Sequence, residues 1–170
     1  VGLYQAGFSL TSQYVSLVFT AMTVDYFPRL SAIHSDNHKV RILANQQSEI
    51  MLLIIIPLIL ILILVAPLLI KILLTNEFIP IINFIRLMSI GLLFQAANHS
   101  MGLIPFAKGD KITFLVLAVA GNASWLLFSI GGYVTGGLNG IGQMFIVHCM
   151  ISFIIVFFTV YHKYNYRMSR

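Results

Sequence analysis

Residues 1–31 read VGLYQAGFSLTSQYVSLVFTAMTVDYFPRLS, long and apolar enough to cross a bilayer as a helix. Along it Gln5, Ser9, Ser12, Gln13, Ser16, Thr20 and Thr23 recur at steps of three and four. At about 100° per residue these side chains fall within an arc of roughly 100°. One face is therefore hydroxyl and amide, and the remainder is Leu, Val, Phe and Ala. In hydrocarbon a polar stripe costs free energy unless it is satisfied, so the pattern predicts a face turned to other helices or to water inside the protein. Two readings stand: the lining of a transport path, or close helix packing through small hydroxyl residues.

The rest of the chain sets that helix in a membrane. Charged residues make up 9% of the 170 and mean hydropathy is +0.94, against about 25% charged residues in soluble domains. The lone cysteine, Cys149, sits in an apolar run, which leaves no disulfide framework and no metal-ligand spacing. Basic residues outnumber acidic ones ten to five, an excess that fits cytoplasmic loops better than nucleic acid.

Five spans are predicted, at about 2–24, 50–74, 80–103, 112–134 and 141–161. The segment from Asp25 to Glu49 reads as a loop with a short surface helix. Asp36 suits its cap, and Val40, Leu43 and Ala44 form an apolar side that could rest at headgroup level. The second span is nearly all Ile and Leu, holds Pro57 and Pro67, and is expected to face lipid, with Lys71 snorkelling to the interface. Thr75 to Phe78 forms a turn, and Pro80 suits a first helical turn. The third span carries Asn83, Arg86, Gln95, Asn98 and His99 and is the second polar helix. Gly109 and Asp110 break the chain before the fourth span, whose central Trp125 is expected to pack in the bundle. Glycines 132, 136 and 140 match a small-xxx-small spacing, but a turn in the same segment weighs against a helix-dimer motif.

Arg29, Lys39, Arg41, Lys108, Lys111, Lys163, Arg167 and Arg170, eight of the ten basic residues, fall in the loops after the first and third spans and in the tail. By the positive-inside bias the C-terminus is cytoplasmic and Val1 starts outside. An odd span count with an outside start, and a first residue other than Met, lead us to expect a preceding helix.

Arg86 lies about 9 Å below the outer end of its helix at 1.5 Å per residue. It either snorkels or presents its guanidinium fork to a phosphate or acidic sugar, with Asn83 one turn away on the same face. Arg29 could meet a phosphate or lipid headgroups at the cytoplasmic boundary. His99 and His148 could relay protons, although cross-helix hydrogen bonding is the commoner role for such a residue. No nucleotide loop, paired acidic motif or nucleophile with a base is present, which weighs against an enzyme.

VGLYQAG, DYFPRLS, ANQQSE and LLTNEF, with PFAKGDK between the third and fourth spans, resemble the polysaccharide-transporter branch of the MOP exporter superfamily, and most nearly its Wzx-type O-antigen flippases. The resemblance implies an all-α integral protein of the bacterial inner membrane, with two six-helix lobes of about twelve to fourteen helices around a cavity opening alternately to each side. On that plan residues 1–170 form a partial C-terminal lobe, without the N-terminal lobe. The implied cargo is an undecaprenyl-pyrophosphate-linked oligosaccharide, an O-antigen or capsule repeat unit. The implied partners are that lipid-linked sugar, the bilayer and other polysaccharide-assembly proteins, with no nucleic acid. No cofactor or metal is implied, and coupling to a proton or sodium gradient is compatible with the plan. By residue chemistry the candidate substrate-binding residues are Gln5, Ser9, Ser12, Ser16, Arg29, Asn83, Arg86 and Asn98. Alternatives are a cation exporter of the same superfamily, which intramembrane Asp or Glu would favour, and a non-transport membrane scaffold.

Overall fold

Apolar runs separated by short polar turns fold into five α-helices in the computed structural model, which describes residues 2–73 and 78–164. No strand occurs among the described residues. α1 (Gly2–Ala32) carries the striped segment well past residue 24. Its extension holds an Asp25–Arg29 pair at 3.1 Å, one turn apart, with Arg29 in the last turn where a cation complements the helix dipole.

α2 (Asn37–Leu73) starts where Asp36 Oδ1 accepts the backbone N–H of His38 (3.0 Å) and Lys39 (3.2 Å), satisfying two orphan donors. The expected surface helix and second span are one helix, since nothing between Gln46 and Glu49 breaks the backbone ladder. That continuity corrects the expectation for Val40, Leu43 and Ala44. Their apolar side is not presented to headgroups but is buried within the protein against Tyr26, Leu30, Met101, Ile104, Val156 and Val160. Pro57 and Pro67 sit inside α2 without ending it. Leu74 to Glu77, most of the predicted turn, and the tail holding Arg167 and Arg170 lie outside the described residues.

Pro80 (φ −59°) is the cap of α3 (Ile81–Gly102), one residue before the position expected for it. α4 (Ile104–Ala107) is a single turn containing Pro105. Gly109, at φ 72°, turns the chain, and Asp110 caps α5 (Lys111–Tyr164) by accepting Thr113 N–H (3.2 Å) and the Thr113 hydroxyl (2.9 Å).

Straight, the 54 residues of α5 would run about 80 Å. Instead the helix folds back on itself at Gly136 and Gly137, the latter at φ 58°, a left-handed conformation that glycine alone adopts without penalty. Ser124 on the first arm meets His148 on the second at 3.1 Å, and Asp110 meets Lys163 at 2.7 Å, so the arms run antiparallel. At the neck the backbones of Gly132 and Gly140 touch: a Cβ on Gly140 would lie 2.0 Å from the Gly132 carbonyl oxygen. The small-residue spacing thus serves a hairpin within one chain, and the fourth and fifth predicted spans are its two arms.

α3 is the centre of the bundle. Phe84, Ile85, Met88, Leu92 and Ala96 are buried against Val15 of α1, Ile55, Ile59 and Ile70 of α2, and Phe145 and Cys149 of α5. Nearer the charged end Tyr26 donates to the Ser100 carbonyl (3.0 Å), and the Ser48 and Ser100 hydroxyls are bonded. These polar ties cross between helices, each worth about 0.6 kcal/mol on average where hydrocarbon surrounds the bundle. The outward side of α2 exposes Leu53, Ile56, Leu60, Ile61, Leu64 and Leu68, an apolar face too continuous for water and suited to lipid. Among the described residues three helical segments are long and apolar enough to cross a membrane: Asn37–Ile72, Ile81–Ala107 and Lys111–Tyr164.

Candidate functional site

A cavity of about 620 Å³ opens over α3, walled by α1 and by both arms of α5. α3 supplies its floor through Met88, Leu92, Gln95 and Asn98 because these residues fall at steps of three and four on one helical face. α1 contributes Phe8, Thr11 and Ser12, the first arm of α5 Asn122, Ser124 and Trp125, and the second arm Phe145, His148 and Ser152. The hairpin is what sets Ser124 opposite His148, since the two are equidistant from Gly136. Trp125 stands edge-on to Phe145 (centroids 5.1 Å apart) and 5.6 Å from the His148 ring, bearing out its expected packing in the bundle. Among the described residues no Asp, Glu, Lys or Arg lines the cavity. Asn98 Oδ1 is buried and has no hydrogen-bond partner among the described residues, an acceptor left open for a water or a ligand donor.

The stripe on α1 is largely exposed. Gln5, Gln13, Ser16 and Thr20 face outward, while Ser9, Ser12 and Thr23 are half-buried. Four of its five hydroxyls are nonetheless satisfied, because Ser12 donates to the Phe8 carbonyl, Ser16 to Gln13 (2.8 Å), Thr20 to Ser16 (2.8 Å) and Thr23 to Phe19 (2.7 Å). Bonding back onto the helix removes most of the cost that the sequence pattern assigned to the stripe. Ser12 reaches the cavity. Thr20 and Thr23 border a shallower groove with Phe19, Phe27 and His99.

Of the eight candidates, the structure brings Ser12 and Asn98 together in the cavity. Gln5, Ser9 and Ser16 lie on α1 outside that lining. Arg29 is exposed and paired with Asp25. Asn83 is exposed and donates to Asn139 Oδ1 at 3.0 Å, tying α3 to the second arm of α5. Arg86 is exposed on α3. Both intramembrane histidines bond across helices: His99 Nε2 to Thr23 Oγ1 at 2.8 Å, with Phe19 stacked 4.9 Å away, and His148 Nδ1 to Ser124 Oγ. Absent from the eight were Thr11, Gln95, Asn122, Ser124, Trp125, His148 and Ser152. The four-residue step from His148 to Ser152 and the turn between the last two spans were visible in the sequence, but which residues of the two arms face each other is set by the close approach of Gly132 and Gly140.

The basic turns gather at one end of the bundle. Lys108 Nζ donates to the His34 carbonyl and to Asn37 Oδ1 (2.7 Å), joining the α1–α2 turn to the α4–α5 turn. Lys163 and the Tyr164 hydroxyl (2.6 Å) both bind Asp110. The Lys163 ammonium, then the Tyr164 hydroxyl and the Thr113 N–H, hold the Asp110 carboxyl well below the usual carboxylate range. Burial pushes the Lys108 ammonium down, opposed by Asp36, whose own carboxyl is lowered chiefly by the Lys39 N–H.

Residues 1–83 match a family described as polysaccharide biosynthesis protein. The matched part spans α1, α2 and the opening of α3, and so includes the whole stripe. No curated protein and no solved structure matches the chain. The match covers just under half of the chain, and the apolar helices suit a membrane protein.

Proposed function

We propose that the chain is part of a flippase that carries an undecaprenyl-pyrophosphate-linked oligosaccharide, an O-antigen or capsule repeat unit, across the bacterial inner membrane by alternating access. The observation that carries this reading is the uncharged cavity over α3, where amides, hydroxyls and the Trp125 ring stand together inside a helical bundle. Sugars offer hydroxyl donors and acceptors for the amides and apolar C–H faces for the indole. The family matched by residues 1–83 points to the same biology. On this reading α1, α2, α3 and the two arms of α5 are five spans of a C-terminal lobe in a larger two-lobe transporter. The end where Lys108, Lys163 and the α1–α2 turn meet is then cytoplasmic, as the charge bias favours. The activity is movement without chemistry on the cargo, and the diphosphate falls to cations outside the cavity, of which Arg86 is the first candidate.

Filling the cavity tests the reading. Ser12→Phe or Ser152→Phe should abolish surface polysaccharide in cells while the protein still inserts in the membrane, and polysaccharide at the wild-type level in both variants would remove the cavity from the path. A scaffold reading draws support from the stripe hydroxyls, which are already satisfied on their own helix. Single cysteines at Ser9, Ser12 and Ser16, on a Cys149→Ser background and exposed to a water-soluble thiol reagent, separate the two. Labelling at Ser12 supports a water-filled cavity, and no labelling from either side supports the scaffold.

A further inference from the structure

His148 is fixed by a short chain of proton bookkeeping. The Ser124 hydroxyl has one hydrogen, and it is donated to the Gly121 carbonyl at 2.9 Å. With that hydrogen on Gly121, Ser124 Oγ is an acceptor for His148 Nδ1, 3.1 Å away. In this arrangement the neutral imidazole carries its hydrogen on Nδ1 and its lone pair on Nε2. That nitrogen has no hydrogen-bond partner among the described residues, and the ring is half-buried in the wall of the cavity. From this geometry we propose that His148 is a proton-binding site of the cavity, and that a proton, not sodium, is the ion taken up there during transport. The role in transport rests on the flippase reading; the binding of the proton does not.

The surroundings decide between the two ions. α1 faces the cavity with Thr11 and Ser12, α3 with Gln95 and Asn98, the first arm of α5 with Asn122, Ser124 and Trp125, and the second arm with Cys149 and Ser152. Among these the Cys149 thiol is the one other titratable group, and none carries a formal charge. A sodium ion asks for several hard oxygen ligands, commonly with a carboxylate, and the described residues of the wall include no carboxylate. An imidazole lone pair takes a proton near physiological pH. Ser124 is a positioning residue here: it accepts from Nδ1–H in both the neutral and the protonated ring, so Nε2 gains a proton without rearrangement at Nδ1.

The chain contains its own reporter, because Trp125 is its single tryptophan and its ring lies 5.6 Å from that of His148. A neighbouring imidazolium attracts the indole π face and quenches its emission. Full chain in lipid nanodiscs, titrated from about pH 8 to about pH 4, through and below the ordinary histidine range, should lose Trp125 emission reversibly in one step. His148→Gln should abolish that step, and His99→Gln should leave it intact. Ser124→Ala removes the acceptor for Nδ1–H and should move the midpoint to lower pH. Exchange of potassium for sodium should leave the midpoint in place. A flat wild-type titration, a step that survives in His148→Gln, an unmoved midpoint in Ser124→Ala or a sodium-dependent shift would each overturn the assignment. None of these readouts involves polysaccharide, so a failed titration removes the proton site and leaves the transporter reading to the cavity-filling variants.

Discussion

Gly140→Ala tests the neck of the α5 hairpin, on which the cavity depends. A Cβ at this position would lie 2.0 Å from the Gly132 carbonyl oxygen, where ordinary contact begins at 3.4 Å, so the arms must part by about 1.4 Å. The obstacle is backbone, and no rotamer change relieves it. Overpacking costs about 1–3 kcal/mol, and a backbone obstacle places this substitution at the top of that range. Alanine regains up to about 1 kcal/mol of helix propensity over glycine. The net destabilisation is about 2 kcal/mol, or about 4–8 °C in melting temperature for a chain of this size. Gly131→Ala is the matched control, since a Cβ there meets nothing within 4 Å, and it should leave the melting temperature unchanged or raise it. Thermal unfolding in detergent, followed by circular dichroism, measures both. If Gly140→Ala melts as high as Gly131→Ala, the arms do not meet at a glycine neck and the wall formed by Ser124 and His148 loses its basis.

Other expectations follow from separate parts of the molecule. Gly91→Ala would bring a Cβ to 2.4 Å from the Phe145 ring; the ring, which stands edge-on to Trp125, must shift, and the tryptophan emission maximum should move relative to wild type. Asp110→Asn should lower the melting temperature at neutral pH by removing the acceptor shared by Lys163, Tyr164 and Thr113. Because the folded carboxyl titrates below its unfolded value of about 3.9, this contribution is present above that pH and fades as pH falls through the folded value. The gap between wild type and Asp110→Asn should therefore close in strong acid, and a gap independent of pH would refute the ionic account. Tyr26→Phe removes the bond to the Ser100 carbonyl and should cost about 0.6 kcal/mol in denaturant titration. Arg86→Ala should reduce surface polysaccharide without loss of membrane insertion, and unchanged polysaccharide would take Arg86 out of the mechanism.

The helices were legible because their signals are local. Apolar runs, the Asp36 cap and the break at Gly109 and Asp110 each depend on residues close in sequence, and the cap and the break stand where the sequence put them. The burial of Val40, Leu43 and Ala44 was not legible, because an apolar stripe looks the same against headgroups and against protein. The cavity was half legible. Ser12 and Asn98 were chosen for their chemistry, and Gln95 was noted on the polar helix. The wall opposite comes from Asn122, Ser124, His148 and Ser152, placed by how closely two glycine backbones approach. A pattern of small residues records that an approach is possible but not which surfaces make it. Arg86 and Arg29 drew attention as charges in a greasy chain, yet both are exposed, where a long cationic side chain needs no special site.

The inward-bonded hydroxyls of α1 have a further consequence. Ser12, Ser16 and Thr20 give their hydrogens to carbonyls of their own helix, so what they present outward is electron pairs. Such a rail welcomes a molecule rich in O–H groups at every step and grips it at none, while it turns away anything already negative. A neutral glycan could slide along it, and a phosphate would have to travel elsewhere.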